Sequence, residues 1–187
     1  MPKIIENPTA IIIEHAEKIL EQQGYEALSM RAIAKSCGIA TGTIYNYFPT
    51  KRELLVQMMA DYWETNFAVI DEISESGADL FFILKKIFAV IEEFALQFRD
   101  VWAGMRQESE TSKQTERFHH NHDYLKRLAE KIEIILIKEQ QLHPANYHYP
   151  LSAKELAYFI VQNQMMICHM KHFSYSSWEQ LLQKMLK

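Results

Sequence analysis

Thr41, Thr43, Tyr45, Asn46 and Tyr47 crowd hydroxyl, phenol and amide groups into the seven-residue stretch TGTIYNY. Groups of these kinds hydrogen-bond phosphate oxygens and base edges. The only charged residues between Ala27 and Arg52 are Arg31, Lys35, Lys51 and Arg52, all basic. The whole chain nonetheless has a formal net charge of −4. A positive footprint on a negative chain, beside uncharged hydrogen-bonding side chains, points to a polyanionic partner at this stretch.

A second constellation would do different chemistry. His119 and His122 are spaced i, i+3 and His119 and Asp123 i, i+4, spacings that could ligate zinc on a helix, and Cys168 with His172 makes another i, i+4 pair. The bland account of both is a solvated helix face or a pocket lining. The sequence contains no nucleophile motif, phosphate loop or paired-carboxylate signature, so an enzyme is not expected and no cofactor is implied. The alternative is a metal-dependent helical-bundle enzyme or a metal-sensing regulator built on His119, His122 and Asp123.

Positioning the first stretch requires short helices. Ser29 caps a helix that runs to about Cys37, with Met30, Ile33 and Ala34 on one face. Gly38 supplies a turn that tolerates positive φ. The next helix holds Thr43 to Phe48, and Pro49 ends it. Ile44 and Phe48, four apart, anchor it inward and leave Tyr45 and Tyr47 outward. Gly42 keeps its amino end free of bulk. Ahead of this pair, Ile12, Ala16, Ile19 and Leu20 repeat at helical spacing up to Gly24. The arrangement is a helix-turn-helix, in which the first helix braces and the second enters the major groove.

The rest of the chain also reads as helix. Thr50 caps a fourth helix with a broad apolar stripe from Leu54 to Ile70. SESGAD, residues 74–79, breaks it. Further helices are expected from Leu80 to Arg99, Val101 to Glu108, about Lys113 to Gln141, Ser152 onward, and around Trp178 to Met185. About nine helices result, an all-α fold. No proline falls between Pro49 and Pro144, and strand-forming Val and Thr are few. The two cysteines are too few for a disulfide framework and read as reduced thiols. No signal core and no apolar run of spanning length occurs, so a cytoplasmic protein without membrane contact is expected.

The segment from Ile11 to Leu55 resembles the DNA-binding domain of TetR-type transcriptional regulators. The resemblance rests on Gly24 and Tyr25; on Ser29, Met30, Arg31, Ile33 and Ala34; on Gly38 and Ile39; on Gly42, Thr43, Ile44, Tyr45, Tyr47, Phe48 and Pro49; and on Lys51 and Leu54. It covers about the first quarter of the chain without a gap. Two positions depart from the family's habit: Ala40 stands where serine is common, and Thr41 where lysine is common. His15 replaces a usual small residue.

The resemblance implies a three-helix DNA-binding domain over residues 1–52 and a helical ligand-binding and dimerisation domain over 53–187. It places DNA contacts at Ser29, Thr41, Gly42, Thr43, Tyr45, Tyr47 and Lys51, beside which Arg31 and Asn46 join on charge and chemistry. It implies a small, largely apolar effector in a cavity lined by Trp63, Phe67, Phe88, Trp102 and Met105, with Glu92, His122 and Gln164 as its polar groups. It implies a homodimer through Phe159, Met166, Trp178, Leu181, Leu182 and Met185. The expected partner is double-stranded DNA carrying an inverted repeat, and the expected role is that of a repressor.

Overall fold

The computed structural model describes residues 7–110, 120–170 and 172–186; the side chains at 106, 108–110 and 120–123 lie outside that description. Among the described residues the chain is all-α: α1 Pro8–Gln23, a 3-10 turn Tyr25–Ala27, α2 Met30–Cys37, α3 Thr41–Tyr47, α4 Lys51–Glu75, α5 Leu80–Gln97, α6 Arg99–Glu110, α7 His120–Leu142, α8 Ala153–Ile167 and α9 Tyr175–Leu186. The expected start of the seventh helix at Lys113 lies outside the described residues. No described helix is long and apolar enough to cross a membrane.

Side-chain caps fix several starts. Ser29 Oγ accepts from the Ala32 N–H at 3.2 Å, and Thr50 Oγ1 from Glu53 N–H at 3.1 Å. Ser152 and Glu155 form a reciprocal capping box at α8. Each satisfies amide donors that a helix start leaves without intrahelical partners.

Two compact units result, Met1–Tyr62 with Gln97–Gln114, and Trp63–Leu96 with Thr115–Lys187. The division between these units falls inside α4, one uninterrupted helix whose apolar residues run on past Tyr62. In the first unit, α1 packs on α2 and α2 on α3. Ile12, Ala16, Ile33, Ile44, Leu54 and Phe98 are fully buried at its core.

The second unit contains the rest of α4 with α5, α7, α8 and α9. α7 and α8 lie side by side. Trp63 packs against Phe67, Phe94 and Tyr124 with ring centroids 5.6, 5.0 and 6.1 Å away. Arg127 binds Glu64 through both its terminal nitrogens, Lys131 pairs with Asp71, and Lys138 Nζ donates to the Ser74 carbonyl at 3.2 Å. Partner numbers ascend together, so α4 and α7 run parallel. The ion pairs are exposed and contribute little each, roughly 0–1 kcal/mol, so the buried aromatic cluster holds this pair together.

Candidate nucleic-acid interface

The α2–α3 corner follows from local chemistry. Gly38 sits at φ 69°, in the left-handed region, where a Cβ would be strained. Its N–H donates to the Lys35 carbonyl at 3.2 Å, and the Ile39 N–H to the Ala34 carbonyl at 3.0 Å. These two bonds are a Schellman closure of α2. The chain then turns into α3, whose cap residue Ala40 offers no side-chain hydrogen bond. Ile44 is fully buried and Phe48 nearly so, which sets the rotation of α3.

That rotation sends the polar residues outward. Tyr45 is 48% exposed and Tyr47 43%, values high for phenols belonging to a core. Gly42 and Asn46 are exposed, and Thr41 and Thr43 half-buried. On α2, Arg31 and Lys35 stand four apart and both are exposed. Ser29 is exposed at the start of α2 while its hydroxyl serves as the cap. Its hydroxyl at this corner therefore orients α2. The arrangement presents a short helix of neutral donors and acceptors beside a cationic brace, which suits a duplex groove and its flanking phosphates.

Lys51 opens α4, half-buried, with Nζ 3.6 Å from the centroid of the Tyr25 ring. The cation–π contact holds the ammonium at one place. Tyr25 is itself buried, and a Cβ built on Gly104 of α6 would overlap its ring. Sequence reasoning missed Tyr25 and Gly104 as supports of Lys51. The available signal was the lone glycine inside a helical segment, which marks a close approach. His15 shares a hydrogen bond of 2.7 Å with Ser36, tying α1 to α2 where the family habit is a small residue.

The other expected sites distribute as follows. Trp63, Phe67, Phe88 and Gln164 are buried in the second unit, whereas Trp102 and Met105 belong to the first. Glu92 is exposed, because it lies on the solvent side of α5. His119 and the side chains of His122 and Asp123 lie outside the described residues. Cys168 is half-buried and His172 exposed. Among the described residues no three His, Cys, Asp or Glu side chains are placed to hold a metal ion.

Of the six residues expected at a dimer seam, Trp178 and Leu182 turn inward and are buried within the chain, together with Leu186. The physical reason is spacing: 178, 182 and 186 share one face of α9, and 181 and 185 share another. Phe159, Met166, Leu181 and Met185 stay on the surface, 41%, 52%, 59% and 37% exposed.

Residues 12–58 match the family model of bacterial regulatory proteins, tetR family. An HTH-type transcriptional regulator of Bacillus subtilis, YuxN, is 37% identical over 90 residues, 48% of this chain and 31% of that protein. The transcriptional repressor KstR of Mycolicibacterium smegmatis is 38% identical over 66 residues, 35% of this chain and 32% of its own length. The chain thus spans about a third of the length of these curated relatives. The fold extends further: the regulator FadR from Bacillus subtilis, solved with stearoyl-CoA, superposes with a TM-score of 0.60 at 19% identity, covering 94% of this chain and 95% of that one. At that identity the likeness speaks to the fold alone. The reading-head sequence and the all-helical architecture agree: residues 12–58 carry the amino-terminal domain of the tetR family of bacterial regulatory proteins, and the chain as a whole has the fold of such regulators.

Proposed function

We propose that the protein is a cytoplasmic, non-enzymatic repressor that binds an inverted-repeat operator as a homodimer and releases it when a small, largely apolar molecule enters its second unit. The observation that carries this reading is the outward-facing set Gly42, Thr43, Tyr45, Asn46 and Tyr47 on α3, backed by Ile44 and Phe48 in the core and flanked by Arg31 and Lys51. The apolar residues left outward on α8 and α9 support a two-fold partner. Two such helices on one dimer read two half-sites about one helical turn of DNA apart. KstR is named a repressor and FadR was solved with an acyl-CoA, which supports repression and a small effector as the family pattern. An effector releases DNA only to the extent that it prefers one of two protein arrangements over the other.

Selection of duplexes from random DNA tests this. The expected product is an inverted repeat with half-sites about ten base pairs apart, centre to centre, or a multiple of that. A chain that sediments as a monomer and enriches no sequence at low ionic strength overturns it.

A further inference from the structure

Gln164 is a fully buried polar residue in the second unit. Its Nε2 donates to the Leu84 carbonyl at 3.1 Å, across eighty residues of sequence, but its Oε1 has no hydrogen-bond partner among the described residues. The hydroxyl of Tyr175 at the start of α9 is also buried and has no partner among the described residues. The Tyr175 ring packs on Phe88 at 4.5 Å and on Trp178 at 5.5 Å between centroids. Leu84 and Phe88 stand one turn apart on α5, so Gln164 and Tyr175 meet the same stretch of that helix. An unmatched buried acceptor or hydroxyl loses its hydration without replacement and calls for an explanation.

Building on the proposed effector-responsive role, we infer that Gln164 Oε1 and Tyr175 OH are the polar anchors of the effector, and that its head group is an uncharged hydrogen-bond donor such as a primary amide or alcohol. The chemistry of the atoms sets this class. With Nε2 committed to Leu84, Gln164 has only an acceptor left to offer. A carboxylate would place lone pairs against that acceptor. Burial raises the Tyr175 pKa above that of an ordinary phenol, so its hydroxyl stays protonated and can donate or accept. A cationic head would need a buried counter-charge, and Glu92 is exposed. An apolar tail suits the Phe88, Tyr175 and Trp178 rings.

Four eight-carbon probes test it on the full chain: octanamide, 1-octanol, octanoate and octylammonium. Thermal shift and titration calorimetry should show the amide and alcohol binding about tenfold or more tightly than the other two. Tyr175→Phe and Gln164→Leu should each abolish that preference. Without probe, Tyr175→Phe should melt no lower than the parent, because it removes a hydroxyl that bonds nothing. Octanoate or octylammonium binding as tightly as the amide overturns the inference, as does no binding by any probe, or a preference that survives both variants. A lowered melting point for unliganded Tyr175→Phe assigns the hydroxyl a structural role and also overturns it. Duplex binding by the unliganded protein is measured in parallel. If that binding is sequence-specific but the head groups are not distinguished, this inference alone fails; if no duplex is bound, the proposed function fails.

Discussion

The backbone of Gly104 in α6 packs directly on the ring of Tyr25, leaving no room for even a methyl group. Tyr25 in turn carries the Lys51 ammonium over its ring. The Lys51 cation, proposed to face phosphate, is thus held by a ring that packs against a glycine far along the chain.

Replacing Gly104 with Ala should destabilise the protein by about 1–3 kcal/mol, the usual cost of overpacking a fitted contact. In a Tyr25→Ala background the same change should become neutral or stabilising, since alanine outranks glycine in a helix by about 1 kcal/mol. Urea denaturation of the four proteins of this cycle checks the change of sign. An equal effect in both backgrounds would falsify the contact.

At the reading head, two kinds of loss should separate. Thr43→Ala and Tyr45→Ala should each cost about 1–3 kcal/mol on the selected operator and little on unrelated duplex, if they meet base edges. Lys51→Ala should weaken all duplexes alike and reduce the salt slope by about one. Fluorescence anisotropy across a salt series distinguishes the patterns, and unchanged affinity in all three variants would remove these residues from the interface.

The outward apolar residues of α8 and α9 predict a separable defect. Met166→Glu with Leu181→Glu should yield a folded monomer, because both side chains are exposed in the protomer. Leu182→Glu should instead impair folding, because that side chain is buried. Sedimentation velocity and circular dichroism report the two outcomes, and a double variant that remains dimeric locates the seam elsewhere.

Cys168 gives a pH prediction. Burial first, and the charge of Glu92 second, push its thiol up to about 11 from an ordinary 9.0. The folded state keeps the proton longer than the unfolded chain does. Its contribution to stability is therefore complete below about pH 9, falls as the unfolded thiol ionises, and is lost by about pH 11. Cys168→Ser should flatten the alkaline limb of stability against pH. Alkylation by iodoacetamide at pH 8 should be slow in the folded protein and fast in urea, as mass spectrometry can follow.

The residues that were legible in the sequence act locally. The Ser29, Thr50 and Ser152 caps each bond an amide three residues on, so side chain and target are read together. Ile44 and Phe48 fix the rotation of α3 through a spacing of four, and the outward tyrosines follow. The residues that were not legible depend on distant partners. Nothing near Gly104 announces Tyr25, and nothing near Gln164 announces the Leu84 carbonyl. On α9 the difficulty was different. Trp178, Leu181, Leu182 and Met185 are all apolar, and periodicity cannot tell which of two apolar faces meets the protomer's own core.

That double-sided helix has a consequence for divergence after gene duplication. Trp178, Leu182 and Leu186 are constrained by the need to fold, whereas Leu181 and Met185 are not. On the proposed two-fold assembly, copies of such a gene can drift at the latter pair until their products no longer mix, each keeping an intact tertiary structure while acquiring a private assembly.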